Sequence, residues 1–338
     1  MILATGAPSD KSLGLKGENL NGVYGSGTFV GWYNSHPDYR NLNPNLNIDT
    51  AVIIGNCNVA LDVARILAKT AQEMADTDLA PYAASEIHTA PLKDIYIIGR
   101  RGPMEAAFTP KELGELNKLN NCVPLINEDI LPVSAEMADL IGAQKKNLTI
   151  LSEMAANNPD HDKINLHLTF FQRPTSILGD KSIASLSLEA TTHTETGVKG
   201  TGEITNLPCG LLVSCIGYKA TPLTGIPYDT GKGIYISDNG HIADNLYCVG
   251  WSRRGPTGTI GTNKPDGIGI AEKILSEISP SSKAGRDGLD NLIKARDLHI
   301  VSFANWKKIE HAERKATSGK APRRKFTSID KMVQIAES

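Results

Sequence analysis

Two short runs of this sequence have the residue types and spacing to hold a dinucleotide. The first is Gly55-Asn56-Cys57-Asn58-Val59-Ala60, set between the apolar run Asp49–Gly55 (DTAVIIG) and a long amphipathic stretch from Val59 to Ala75. This is where a G-x-G-x-x-G/A turn belongs. Its first glycine makes the tight turn, its last small residue lets helix and strand pack closely, and the helix N-terminus faces a pyrophosphate. Cys57 stands at the middle glycine's place, where backbone approaches phosphate, so its side chain is expected to crowd the pyrophosphate. Read alone, such a turn is equally a plain strand-to-helix connection. The second run is Arg100-Arg101, at the carboxyl end of the next apolar strand, Asp94–Arg100 (DIYIIGR). Ligands of doubly wound sheets lie outside the carboxyl ends of the strands. An acidic residue there would accept from ribose hydroxyls, whereas two guanidiniums suit a 2′-phosphate. Asp76 and Asp78 are spaced like an NAD-type carboxylate but fall in a polar loop. A solvated loop is the alternative reading of the arginine pair.

A third run, Gly250–Asn263 (GWSRRGPTGTIGTN), joins a buried strand to a helix through a glycine- and threonine-rich turn. Trp251 offers an aromatic plane. Gly255, Gly258 and Gly261 leave room for a flat ring against backbone, and a helix starting there would aim its positive end at an anion.

These runs need elements to hold them. The strands Asp49–Gly55 and Asp94–Arg100, with the helix between them, make a β-α-β unit and predict an α/β, doubly wound, Rossmann-like parallel sheet. A short helix is expected around Gly27–Asn34, and a second over residues 108–120, entered through Thr109 as cap and Pro110 at the first helical position. Residues 166–189 alternate apolar and polar (INLHLTFFQRP, IASLSLEAT) and predict an antiparallel excursion. Leu211–Gly217 and Asn245–Trp251 read as further buried strands, residues 266–278 as a helix, and Met1–Ala7 as a strand running into a glycine turn. The expected domains are residues 1–235, binding NADP, and residues 236–338, the C-terminal part of a split FAD-binding domain.

Composition narrows the function class. At 338 residues, two packed domains are expected. A net charge of -2 with 21% charged residues argues against a protein built to hold nucleic acid. No stretch approaches the roughly 18 consecutive apolar residues that cross a bilayer. Cys57, Cys122, Cys209, Cys215 and Cys248 are scattered with no CxxC pair, which predicts buried, reduced thiols and no metal site. The expected compartment is cytoplasmic, with the mitochondrial matrix as alternative.

The quoted runs, with ATGAPSDKSLGLKGE at 4–18, FVGWYNSHPDY at 29–39, GNCNVALDVARIL at 55–67, GRRGPMEAAFTPKELGEL at 99–116, SCIGYKATPL at 214–223, GWSRRGPTGTIGTNKPD at 250–266 and WKKIEHAERKATSGKAPRRKF at 306–326, resemble the adrenodoxin reductase family of ferredoxin–NADP reductases. The resemblance is weakest in 120–170 and 270–300. It implies FAD and NADP as cofactors, and hydride transfer from NADPH to FAD followed by single electrons to a ferredoxin-like iron–sulfur protein. It implies NADP contacts at Asn56, Cys57, Asn58 and Val59, 2′-phosphate binding by Arg100 and Arg101, and contact near the nicotinamide by Glu112, with Glu115 aiding proton handling. Trp251, Gly258, Thr259 and Ile260 match flavin contacts, and Gly258 also touches nicotinamide. The basic tail (Lys307, Lys308, Arg314, Lys315, Lys320, Arg323, Arg324, Lys325) suits an acidic ferredoxin, whose complementary charge speeds encounter. No nucleic-acid partner and a monomeric state are expected.

The family opens with an FAD-binding βαβ unit carrying its own glycine fingerprint and a flavin-side histidine, and both are expected to lie upstream of Met1, outside this sequence. The chain is therefore expected to be the latter two-thirds or three-quarters of such an enzyme, holding no stoichiometric FAD by itself. The rival to an oxidoreductase is thus an NADP-binding fragment without catalysis. Dithiol flavoprotein reductases share the architecture but need a redox cysteine pair, and glutamate synthase small chains need iron–sulfur cysteine clusters; neither pattern occurs.

Overall fold

The computed structural model describes residues 1–132, 140–195, 197–258, 260–279, 282–317 and 319–338. It divides into two units, one of Ser12–Ile216 with Ala316–Thr327, the other of Met1–Lys11, Gly217–Lys315 and Ser328–Ser338. The divisions fall at 11/12 and 216/217, so the boundary expected at 235/236 lies inside the second unit. Local pairing explains this: Ser9–Asp10 is hydrogen-bonded to Tyr218–Lys219.

The first unit is built on β1 (Val23–Gly25), β2 (Thr50–Ile54), β3 (Asp94–Ile98), β4 (Cys122–Leu125), β5 (Ile164–Thr169) and β9 (Leu211–Ser214), in the order β1-β9-β2-β3-β5-β4. Every pairing is parallel. The central strands are covered on both faces, which is why TAVII and LLVS read as continuous apolar runs. On one face pack α1 (Ser26–Tyr33), close to the helix expected at 27–34, and α2 (Asn58–Ala68), which buries Ala60, Leu61, Val63, Ala64 and Leu67.

The helix predicted to run to Ala75 stops at Lys69, whose backbone is extended. There Thr70 and Glu73 satisfy each other's backbone N–H groups in a capping box and start a separate short helix. The helix predicted over 108–120 is likewise shorter. Thr109 caps α3 (Pro110–Gly114) as expected, but a single 3-10 turn at Leu116–Lys118 follows. Between β4 and β5 lies α4 (Gly142–Ala155).

The antiparallel excursion is present as a three-stranded sheet, β6 (Gln172–Gly179), β7 (Ile183–Thr194) and β8 (Gly197–Pro208). The segment INLHLT, expected to belong to it, is instead the parallel strand β5 between β3 and β4. Its misleading polar position is Asn165, whose buried amide bonds to the Asp160 backbone at 3.0 and 3.2 Å.

In the second unit the two-residue strand Ile2–Leu3 pairs parallel with β11 (Leu246–Cys248), which pairs antiparallel with β10 (His241–Ala243). Leu3 is buried, but Met1 and Ile2 are exposed, so the opening strand is buried only at its end. After β11 come α5 (Trp251–Arg254), α6 (Ile260–Glu277), α7 (Gly285–Ala295), α8 (Phe303–Lys315) and α9 (Ile329–Glu337). The helix expected from 266 begins at Ile260. Pro265, just before the expected start, lies inside it. Among the described residues no helix is long and apolar enough to cross a membrane, and no His, Cys, Asp and Glu cluster could hold a metal.

Ile97 of β3 is 0% exposed in the main apolar cluster. Ile97→Ala should cost about 2–5 kcal/mol, read as a lower urea midpoint with an unchanged slope; an unchanged midpoint would show that this strand does not carry the core.

Candidate functional site

The turn after β2 is fixed by contacts with both neighbouring strands. Gly55 N–H donates to the Ile98 carbonyl at 2.9 Å, and Cys215 N–H donates to the Ile54 carbonyl at 2.7 Å. Gly55 has φ +124°, and a Cβ there would stand 2.6 Å from the Cys215 carbonyl oxygen, so only glycine fits. Cys57 is the N-cap of α2 with φ -137° and makes no side-chain cap bond, so its side chain leaves the first N–H groups of the helix uncovered. Its thiol turns instead to donate to the Cys215 carbonyl at 3.4 Å. The Asn56 side chain lies over Gly99, where any Cβ would collide with it. Its Oδ1 is buried without a partner. Asn56 carbonyl accepts from Ala107 N–H at 2.8 Å, and Asn58 Oδ1 accepts from Thr109 N–H at 2.7 Å, which staples the segment before α3 to the turn.

Arg100 and Arg101 follow β3 after Gly99. Both are exposed, and neither side chain has an ion pair or hydrogen bond among the described residues. Their backbone is braced by the antiparallel sheet. Gln172 N–H donates to Gly99 carbonyl at 3.0 Å, Thr191 Oγ1 to Arg100 carbonyl at 2.7 Å, and Phe171 N–H to Arg101 carbonyl at 3.2 Å. Asp78, the discounted acid, is engaged by Lys325 at 2.9 Å.

Glu112 and Glu115 project from α3 and its C-terminus to one guanidinium, that of Arg65 on α2. Arg65 Nη1 lies 3.2 Å from Glu112 and also pairs with Glu115, while Nη2 holds Asp62 at 2.7 Å. Burial opposes the Arg65 charge, but Asp62 and Glu112 outweigh it and push its pKa up. Each glutamate is committed as an acceptor, so proton donation by Glu115 requires this pair to open. Arg65 was not among the residues singled out from the sequence. Its only signal there was an acid three residues earlier on the same helix.

In the second unit, Gly250, Gly255 and Gly258 all have positive φ, and a Cβ at Gly250 would meet nothing within 4 Å. Trp251 stacks with Tyr218 at 6.4 Å between centroids and donates from Nε1 to the Thr257 carbonyl at 3.2 Å. The loop is organised by Asp266, which sequence reading missed. Its side chain is 4% exposed, accepts from Gly250 N–H at 2.6 Å, pairs with Arg253, and lies 3.5 Å from Arg254 Nε. Burial works to raise its pKa, but the Arg253 bond, the Gly250 N–H and both guanidiniums prevail and lower it. Thr259 lies outside the described residues, as does the side chain of Ile260. The basic tail is largely engaged: Glu310 holds Lys307 and Arg314 at 2.8 and 3.1 Å, and Lys307 sits 5.0 and 5.6 Å over the Trp306 and Phe303 rings.

No family model matches the chain. It is, however, 36% identical over 369 residues to the mitochondrial NADPH:adrenodoxin oxidoreductase of Arabidopsis thaliana, spanning 99% of this chain and 76% of that protein. The NADPH-ferredoxin reductase FprA of Mycobacterium tuberculosis is 34% identical over 354 residues, with 99% of this chain and 78% of that protein covered. The chain belongs to the adrenodoxin reductase family. The structure of FprA in complex with NADPH superimposes on all of this chain and 78% of its own with a TM-score of 0.93. The chain therefore shares the backbone of that relative over its whole length.

Two outcomes are expected. Gly55→Ala should unfold at lower denaturant and distort the turn, seen as weaker nucleotide binding; wild-type behaviour would mean the turn relaxes freely. Asp266 stabilises only when ionised, so its contribution is complete above its ordinary value of 3.8 and is lost as pH falls through its lower folded value. Asp266→Asn should remove that part of the acid transition and lower the midpoint at pH 7 by leaving Arg253 poorly compensated; overlapping pH–stability curves would refute it.

Proposed function

We propose that the chain is an NADPH:ferredoxin oxidoreductase, taking hydride from NADPH onto FAD and passing single electrons to a ferredoxin-like iron–sulfur protein. The observation that carries it is the unpaired Arg100–Arg101 pair, rigidly held beside the uncovered N-terminus of α2. These residues fit NADP: the helix N–H groups of Asn58, Val59 and Ala60 suit the pyrophosphate, and the two guanidiniums the 2′-phosphate. Asn56 Oδ1, buried and without a partner, is left to accept from the nucleotide. Glu112 and Glu115, oriented by Arg65, are assigned to the nicotinamide side. In the second unit Trp251 and the Gly258 backbone fit a flat ring, the open side of Gly250 leaving space for it. We extend the flavin contacts to Thr259 and Ile260 by family membership. FAD, when bound, supplies the conversion between two-electron and one-electron chemistry.

Within this reading residues 12–216 bind NADP and the second unit contributes to FAD binding. The partner is a ferredoxin-type protein, as the names of the relatives indicate. The cytoplasm and the mitochondrial matrix both suit the role.

Supplied with FAD, the chain should reduce a plant-type ferredoxin with NADPH and far less with NADH; a colourless protein without turnover would favour the NADP-binding fragment instead, and equal rates would overturn the assignment of nucleotide. In Arg100→Ala/Arg101→Ala, each lost charge-assisted contact should cost about 1.5–3 kcal/mol, roughly ten- to a hundredfold in affinity. Calorimetry should show 2′,5′-ADP weakened by at least that factor and 5′-AMP barely changed. Equal losses would place the phosphate elsewhere.

A further inference from the structure

The loop carrying Arg100 and Arg101 is bordered by three side chains of the same unit: Glu105, Phe171 and His193. The exit from β5 holds Phe171 at φ +55°, a region that aromatic residues seldom adopt. Hydrogen bonds fix it there on both sides. Its N–H donates to the Arg101 carbonyl at 3.2 Å, and its carbonyl accepts from Thr191 N–H at 2.8 Å. The turned ring packs against Gly102, where a Cβ would stand 2.5 Å from Cζ. It meets His193 edge to face, with 5.1 Å between centroids and 83° between planes. His193 lies two residues beyond Thr191 on β7 and shares its face, and Thr191 Oγ1 holds the Arg100 carbonyl at 2.7 Å. The imidazole therefore stands beside the arginine loop.

Glu105 ends the 3-10 turn Pro103–Glu105 that follows this loop. Its Oε1 lies 3.7 Å from His193 Nε2, and its Oε2 is buried without a partner, 3.1 Å from the Cβ position at Gly102. A carboxylate this close to the loop would repel a bound phosphate unless a cation offset it. His193 is placed to do so through Nε2. Its Nδ1 has no partner among the described residues and its side chain is 52% exposed, which leaves that nitrogen for a ligand. On the same sheet, Val198 is opposite His193 and carries no charge. Arg173 and Glu189 are paired with each other at 2.5 Å, and Glu195, two residues on, is exposed.

We propose that His193 is a third ligand of the 2′-phosphate, acting with Arg100 and Arg101. The inference rests on the reading of this loop as part of the NADP site. With a carboxylate at Nε2 and a phosphate at Nδ1, the ring donates from both nitrogens and is an imidazolium. Phe171 and Glu105 orient it before the ligand arrives. Because the phosphate favours the charged ring, nucleotide binding draws in a proton.

The test is calorimetry on the full chain and His193→Gln, which keeps a polar side chain but cannot carry the charge. Losing one charge-assisted contact at an exposed site should weaken 2′,5′-ADP about tenfold and leave 5′-AMP unchanged. Titrations near pH 7.5 in buffers of different ionisation enthalpy should show proton uptake by wild type and less by His193→Gln. Wild type that fails to bind 2′,5′-ADP, or Arg100→Ala/Arg101→Ala that binds it normally, would overturn the nucleotide reading and the inference with it. If wild type binds and the double arginine variant does not, three results overturn the inference alone: undiminished 2′,5′-ADP affinity in His193→Gln, an equal loss for 5′-AMP, or the same proton uptake in both proteins. An equal loss for 5′-AMP would place His193 against the adenosine instead.

Discussion

Parallel pairing of β9, β2, β3 and β5 in one register is the constraint on which the candidate site depends. Because the four strands run the same way, their carboxyl ends, Ser214, Ile54, Ile98 and Thr169, reach one edge together. That edge is where the chain leaves the sheet as Cys215, Gly55 and Gly99, and the hydrogen bonds from Gly55 to Ile98 and from Cys215 to Ile54 extend the ladder past the strands. A one-residue slip would turn every buried side chain to the other face. The apolar content of the strands therefore secures the position of the turn as well as the core.

On that edge, rigidity comes from small residues and backbone hydrogen bonds. Gly55 and Gly99 are each crowded by a neighbour that would strike a Cβ, so two strand exits and the Asn56 side chain interlock. The antiparallel sheet adds a second support: through Gln172, Thr191 and Phe171 it holds the carbonyls of Gly99, Arg100 and Arg101. The two guanidiniums are left exposed and uncommitted while their backbone is fixed. With the backbone already fixed, the side chains alone would have to be ordered by a bound anion. The second unit solves the same problem with charge. A single buried carboxylate, Asp266, holds a backbone N–H and two arginines and thereby shapes a loop of positive-φ glycines.

The arginine of α2 shows how charges on separate elements act together. Arg65 collects Asp62, Glu112 and Glu115, so the orientation of the two glutamates depends on how α2 packs against α3. The role proposed for them near the nicotinamide depends on that packing as much as on their own identity.

The sequence by itself determined the parallel α/β core, because buried strands must be apolar along their whole length and a βα turn must carry glycine. It also placed the turn at Gly55–Ala60 and the arginines at the end of the next strand, since both follow from local order along the chain. Boundaries were less legible. The helix after Val59 broke at Thr70, because a capping box outcompeted an amphipathic pattern that could have continued, and that after Thr109 stopped at Gly114, where a single 3-10 turn follows. The strand Ile164–Thr169 was assigned to the wrong sheet, because a buried asparagine with its own partners imitates a solvent-facing position. Only the tertiary structure could decide which groups meet: Arg65 with the two glutamates, Asp266 with Gly250, and the Cys57 thiol with the Cys215 carbonyl, 158 residues away. Such contacts depend on the register and packing of elements distant in the chain, and no local pattern of residue types encodes them.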